Sequence, residues 1–342
     1  MATVYYDTDA NLELMQGKKI AVIGYGNQGQ AHALNLRDNG CNVLIGSRLK
    51  SKNRERAIAE GFQVMTPLEA AEKADVIMLL APDQDHREIF ERDIRPGLAP
   101  GKLLLTGHGF SLHYGQIVPP DDIDVGMVAP KGPGRMLRSL FAQGLSLPAL
   151  WAVFQDATGQ AEALALSYTR AIGCTRAGAL RTTVGEETET DLFGEQSVLC
   201  GGLTALIRTA FEILVEEGYQ PEVAYIECAY EVKAVVDLMD QGGMAFMHRA
   251  ISDTAEWGDY ITGPRLINQN VRDEMRKVLK DIQDGTFATR WILENMAGRP
   301  SFQAMRQANA NHMIEQVGRE VRAMMPWLNA PEKKLEITET KK

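Results

Sequence analysis

Apolar and polar positions along this chain follow two periods, one in each half. Up to about residue 182, short apolar runs alternate with stretches of helical spacing. Residues 19–23, Lys-Ile-Ala-Val-Ile, predict a buried strand, and a helix over 31–38 stops at Asn39-Gly40. Further strands are expected at 41–45, 74–80, 102–106 and 125–128. Such alternation builds an open, mostly parallel sheet. Beyond about residue 183 the strand runs vanish. Helices are predicted over 204–217, 221–240 and 268–283, ending at Gly218, Gly242-Gly243 and Asp284-Gly285. Pro221 suits a first helical turn. Thr188-Glu189-Thr190-Asp191 can open a helix as a cap, and 250–258 reads as a polar loop or helix start. The helix over 204–217 is apolar over more than one stripe, which calls for interdigitated helices or a subunit interface. The charged, nearly aromatic-free segment 331–342 is expected to be disordered. The pattern therefore predicts an α/β domain over 1–182, an all-α domain over 183–328 and a disordered tail over 329–342.

Composition narrows the function. The chain has 342 residues, 45% hydrophobic and 24% charged, which suits an ordinary two-domain protein. A net charge of -9 argues against nucleic acid or an anionic membrane surface as partner, and an acidic small substrate would need a local positive centre. The four cysteines are scattered with no CxxC pair, so neither a zinc site nor a disulfide framework is expected. The N-terminus lacks a basic segment followed by an apolar one, and no apolar run approaches membrane-spanning length. The expected location is cytoplasmic, or organellar after processing.

Between the first strand and its helix stands Gly24-Tyr25-Gly26-Asn27-Gln28-Gly29. In that setting a GxGxxG turn brings backbone and a helix N-terminus against a pyrophosphate, the mark of a Rossmann-like dinucleotide-binding domain. About twenty residues on, where an acid would meet a ribose 2′-hydroxyl, the chain has Gly46-Ser47-Arg48-Leu49-Lys50-Ser51-Lys52-Asn53-Arg54. Its cations and small polar donors suit a 2′-phosphate, hence NADP(H), although a solvated basic loop is the plain alternative. Loops after the later strands should converge on the same ligand. They carry Asp83-Gln84-Asp85-His86, Gly107-His108-Gly109, and Lys131 with Gly134. His108, flanked by glycines, suits proton transfer, though a loop histidine can serve only as a turn residue. Lys131 and Gly134 could touch substrate or cofactor, or be simple turn chemistry.

Four acids form two i,i+4 pairs, Asp191/Glu195 and Glu227/Glu231. Residues so spaced share one helix face, where like charges repel. The second pair lies among Val223, Ala224, Ile226, Val232, Val235 and Val236, where carboxylates are costly without a counter-charge. A pair of hard divalent cations such as Mg²⁺ would supply it; two solvated acidic faces are the alternative.

Taken together, these strings resemble ketol-acid reductoisomerase (acetohydroxy acid isomeroreductase) in its short form with one helical domain. The resemblance covers residues 2 to about 328. It rests on Ile23 to Gly29, Gly107-His108-Gly109-Phe110, Ala129-Pro130-Lys131-Gly132-Pro133-Gly134, the run from Glu187 to Gln196, and Ile251-Ser252-Asp253-Thr254-Ala255-Glu256. It implies that Asp191 bridges two Mg²⁺ ions, with Glu195 on one and Glu227 and Glu231 on the other. It also implies that the second pair comes from a partner subunit, so that the working unit is a homodimer or larger, and that the helical domain is knotted. By the same resemblance Ser252 contacts the substrate carboxylate, His108 is an active-site histidine and Lys131 lies beside the pocket. Tyr25, Gly26, Asn27, Gln28, Arg48, Ser51, Asp83, Gln84, Asp85, His86 and Gly134 match NADP contacts, and Asn53 replaces the usual serine of the phosphate loop. Gln30 replaces a frequent histidine and Ala250 a common serine.

The implied reaction takes a 2-hydroxy-2-alkyl-3-keto acid such as 2-acetolactate, moves an alkyl group to the adjacent carbon, and reduces the new ketone with NADPH. Its product is a 2,3-dihydroxy acid of valine and isoleucine synthesis. Two other readings stay open: a metal-free NADP-dependent β-hydroxyacid dehydrogenase, which chelator-resistant activity would favour, and a non-enzymatic NADP sensor, which absent Mg²⁺ binding would favour.

Overall fold

In the computed structural model, which describes residues 2–328, the chain divides into two compact units, 2–190 and 191–328. The first holds a sheet of β1 (Val4–Tyr5), β2 (Lys19–Ile23), β3 (Asn42–Gly46), β4 (Gln63–Met65), β5 (Val76–Leu79), β6 (Leu103–Thr106), β7 (Asp124–Pro130), β8 (Ala149–Gln155) and β9 (Ala179–Arg181). Their order is β1-β9-β8-β7-β6-β5-β2-β3-β4. The pairs β1·β9 and β7·β8 are antiparallel and the others parallel. Side chains alternate faithfully: Ile20, Val22, Met78 and Leu105 enter one core, Ala21, Ile23, Ile77 and Leu104 the other. Both faces being covered, these strands read as continuous apolar runs instead of alternating ones. The order reverses at β2, with β3 on one side and β5 on the other, which opens a crevice at their carboxyl ends.

The five expected strands are present with ends shifted by one or two residues, and β1, β4, β8 and β9 are additions. Three of the additions are only two or three residues long. The fourth, β8, contains a single β-branched residue, Val153, so its propensity signal is weak. The first helix starts earlier than its apolar spacing indicated, at Asn27, so its first turn lies inside the glycine fingerprint.

The second unit is helical, as expected, but its helices differ in detail. One helix runs unbroken over Val184–Glu216, with a π-helical turn at Glu195–Leu199. Thr188 and Asp191 therefore lie within a helix and do not cap one. The Thr188 and Thr190 hydroxyls donate back to the Val184 and Glu186 carbonyls, 2.7 Å each. The helix predicted over 221–240 is split into Pro221–Tyr225, a π turn at Ile226–Tyr230, and Val232–Gly242. Over 250–258 the chain starts the helix Asp253–Leu266, with Ser252 Oγ accepting from the Ala255 N–H.

This unit has a small core of its own around Phe211, Ala224, Val317 and Val321. Many large apolar side chains stay outside it, among them Leu206, Ile213, Val236 and Trp257. The expectation that no apolar stretch reaches spanning length needs correction. Val184–Glu216 contains an 18-residue window of mean hydropathy 1.7, long and apolar enough to cross a membrane by length and composition. Polar interruptions such as Arg208 and Glu212 hide it from a search for unbroken runs. The expected disorder of 331–342 concerns residues outside those described.

Candidate active site

Each glycine of the fingerprint has a different physical reason. Gly24 takes a positive φ of +98°, and a Cβ on it would stand 2.8 Å from the Leu80 carbonyl oxygen. A Cβ on Gly29 would meet the Gly24 carbonyl oxygen at 2.0 Å, so the turn closes only without side chains. Gly26 is otherwise: its φ of -78° suits any residue, and nothing lies within 4 Å of where its Cβ would be. That open space beside a helix N-terminus is the cradle a pyrophosphate needs, so the site fits a dinucleotide. The Lys131 loop is fastened to the same turn. Gln28 Nε2 donates to the Gly132 carbonyl at 2.9 Å, while a Cβ on Gly134 would fall 2.2 Å from the Asn27 carbonyl oxygen. Gly134 thus serves close packing against the fingerprint.

The expected cofactor contacts separate into outward and inward groups. Arg48 is exposed, 4.0 Å from Asp85, so the loops after β3 and β5 face each other across the crevice mouth. Ser51 caps the helix Lys52–Ala59 without using its side chain in the cap, and Asn53 lies in that helix's first turn. Asp83, Gln84 and Asp85 are half-buried at the start of the helix Asp83–Ile89.

Tyr25 and His86 point inward. The Tyr25 ring is buried and its hydroxyl donates to Glu60, so only its backbone can face a ligand. His86 is buried with both ring nitrogens engaged, Nε2 on the Ala81 carbonyl and Nδ1 on Ser111 Oγ, 2.8 Å each. A carbonyl can only accept, which places the proton on Nε2. Burial lowers the pKa of this imidazole. His86 therefore ties the β5 loop to the segment carrying His108. Arg54, the last cation of the basic loop, also turns inward, donating to the backbone carbonyls of Ser47, Val64 and Met65.

After β6 and β7, His108 and Lys131 meet on one carboxylate, which the sequence reading quoted and left without a role. Glu187 is fully buried in the helix Val184–Gly194. His108 Nδ1 stands 3.0 Å from Oε2, and Lys131 Nζ donates to Oε1 at 2.7 Å. The Gly109 N–H also donates to Oε2, at 3.0 Å. Burial alone would raise the Glu187 pKa, but the hydrogen bond and charge of His108, with Lys131, outweigh it and leave the pKa below the ordinary carboxylate range. Gly109 permits this approach, since a Cβ there would lie 2.1 Å from Thr188 Oγ1 and 2.8 Å from the Val184 carbonyl oxygen. A signal was available: Glu187, Asp191 and Glu195 form an i, i+4, i+8 row of acids.

Asp191 follows Glu187 by one turn, their carboxylate oxygens within 4.8 Å. Glu195 is exposed and begins the first π turn. Glu227 lies within the second π turn and Glu231 directly follows it. A π turn takes in one residue more than an α turn, so residues four apart keep one face. Both acids of this second pair are exposed. The dry surroundings expected for them are therefore not provided by residues of one chain, because the neighbouring Val223 and Val236 are exposed too. The donors are carboxylate oxygens throughout, the chemistry that hard divalent ions take. Ser252, on its own helix cap, presents its hydroxyl at a helix N-terminus.

Family comparisons agree along the whole length. Residues 14–178 match the acetohydroxy acid isomeroreductase NADPH-binding domain, and 184–327 the ketol-acid reductoisomerase C-terminal domain. A solved NADH-preferring ketol-acid reductoisomerase from an uncultured archaeon is 44% identical, covering 94% of this chain and 99% of its own, with a TM-score of 0.92. A semialdehyde dehydrogenase NAD-binding protein from Cupriavidus necator, 19% identical over 78% of this chain and 99% of its own, has a TM-score of 0.59 and shares the fold alone. Two domain models in the right order, together with this relative, place the chain in the ketol-acid reductoisomerase family.

Proposed function

We propose that the chain is a Mg²⁺-dependent isomeroreductase. It converts 2-acetolactate and 2-aceto-2-hydroxybutyrate, by alkyl migration and reduction with NADPH, into the 2,3-dihydroxy acids of valine and isoleucine synthesis. The observation that carries this reading is the Glu187 carboxylate gathering His108 and Lys131 one helical turn from Asp191. Asp191 and Glu195 hold two Mg²⁺ ions together with Glu227 and Glu231 of a second copy. When bound, the ions polarise the substrate's hydroxyl and keto oxygens and the dinucleotide supplies hydride.

The chain's own residues do the rest. Glu187 fixes the His108 ring through Nδ1, so that its other nitrogen can be oriented toward a reacting oxygen, and it holds the Lys131 ammonium beside the same place. Ser252, at a helix N-terminus, takes the substrate carboxylate. Gly26, with the backbone of Tyr25, Asn27 and Gln28, takes the pyrophosphate, while Asp83, Gln84 and Asp85 border the crevice. The adenosine end meets Arg48, Ser51 and Asn53, and no acid lies between Gly46 and Arg54 to repel a 2′-phosphate. NADPH is therefore the proposed coenzyme, with NADH the comparison to make. The exposed apolar side chains of the helical unit support a homodimer or larger assembly, because patches of that extent usually mark an interface. The proposed setting is the cytoplasm.

Consumption of NADPH on 2-acetolactate, with and without Mg²⁺ and repeated with NADH, tests the reading directly. In the same assay Asp191→Asn and Glu195→Gln are each expected to abolish both isomerisation and reduction, while coenzyme binding stays within about twofold. Full turnover by either variant, or activity indifferent to chelator, rejects the metal assignment.

A further inference from the structure

The helix Lys52–Ala59 carries the adenosine-side loop on its N-terminus, yet of its eight residues only Ala57 is buried. Apolar packing alone holds so short and so exposed a helix weakly. Two side chains fasten it instead. Near its start, Arg54 Nη1 donates to the carbonyls of Ser47 and Met65, 3.1 Å each, and Nη2 to that of Val64 at 3.4 Å. Met65 also accepts the Ser47 N–H at 3.0 Å, so the loop's first residue and the end of β4 are gathered on one guanidinium. At the other end, Glu60 accepts from the Tyr25 hydroxyl and, at 2.6 Å, from Gln30 Nε2. Its backbone carbonyl takes Arg37 Nη1 at 2.7 Å. Arg56 lies 3.4 Å from the same carboxylate, and Phe62 packs edge-on against Tyr25. The Tyr25 pKa is raised by burial and by its bond to Glu60, so the phenol remains a proton donor to the carboxylate.

We propose that Arg54 and Glu60 are positioning residues for the coenzyme, touching none of it. Arg54 sets the path of loop 47–53 and so the reading of the 2′-position. Glu60 ties that loop's helix to the glycine turn and so governs the grip on the pyrophosphate common to both coenzymes. The two therefore differ in what they control. Losing the Arg54 bonds selectively weakens the phosphate-bearing coenzyme, whereas disturbing Glu60 weakens both alike. The assignment rests on the proposed function only in taking NADPH and NADH as ligands.

Direct titration of NADPH and of NADH, followed by their nicotinamide fluorescence on the intact protein, tests this without any turnover. Arg54→Ala is expected to raise the Kd for NADPH about tenfold, the effect of one or two lost hydrogen bonds, and that for NADH less than threefold. Arg54→Lys, which can still reach a carbonyl, should recover part of the loss. Glu60→Gln should raise both constants by a similar factor, about threefold. In turnover the changes should appear in KM, with kcat within about twofold. Unchanged constants in folded Arg54→Ala and Glu60→Gln overturn the proposal, as does a fall in kcat at constant Kd. If Arg54→Ala does not fold, Arg54→Lys and Glu60→Gln decide by the same criteria. A protein that binds both coenzymes with the expected pattern yet leaves 2-acetolactate untouched would sink the proposed reaction and leave this inference standing.

Discussion

Glu187→Gln should cut turnover by about 10²- to 10³-fold while NADPH binding is preserved, the range for losing a well-placed acid–base arrangement. The amide keeps the size of the carboxylate but not its charge. One amide oxygen cannot serve His108, Lys131 and the Gly109 N–H together. Stability should fall by about 2 kcal/mol, less than for a wholly buried pair, because Lys131 and His108 are partly exposed. The sign with pH follows from the lowered pKa. A carboxylate whose pKa is lower folded than unfolded stabilises the fold at pH above its ordinary value, and that contribution is lost as pH falls through the folded value. The gap between the parent and Glu187→Gln in urea titrations should therefore be full at pH 7 and close as the pH drops below about 4.5. A gap that widens with acid, or a variant with normal kcat, would refute the role given to Glu187.

Two glycines four ångströms from interchangeable in sequence logic should behave oppositely on substitution. At Gly29 an added methyl would strike the Gly24 carbonyl, backbone against backbone, so Gly29→Ala should cost about 3 kcal/mol or more and deplete soluble protein. At Gly26 the methyl enters empty space at an ordinary φ, so Gly26→Ala should melt within a few degrees of the parent. Its cost should fall on the ligand, with dinucleotide affinity down about 10- to 100-fold. Thermal melts and fluorescence titrations of both variants separate the two effects. Intact binding in Gly26→Ala would mean that the pyrophosphate does not approach that backbone.

Much of the first unit was legible because its central strands obey one rule. Ile20 to Ile23, Ile77 to Leu79 and Leu103 to Leu105 are apolar on both faces, and glycines mark where the chain must turn. Strands β1, β4 and β9 were not legible, since two or three residues carry no period. Side-chain direction was the other blind spot. Tyr25, His86 and Arg54 have the right chemistry for a coenzyme, but burial and backbone acceptors claim them, and only tertiary packing decides that contest. Glu187 failed for the opposite reason: spacing tied it to Asp191, yet the histidine and lysine that give it meaning lie 79 and 56 residues away. In the helical unit the periods foretold helices, whereas the π turns at Glu195–Leu199 and Ile226–Tyr230 leave no trace in hydrophobic spacing.

Those wider turns constrain how this chain can lose or gain residues. Deleting one residue from 195–199 would let the helix close into regular α geometry, and everything beyond would swing by about 100° and shift by about 1.5 Å. The apolar stripe around Phe211 would then be misaimed, although no individual contact had been mutated. Gaps in homologous chains should therefore avoid these five-residue windows, while the connection around Gly218 to Gln220, between two helices, can absorb them.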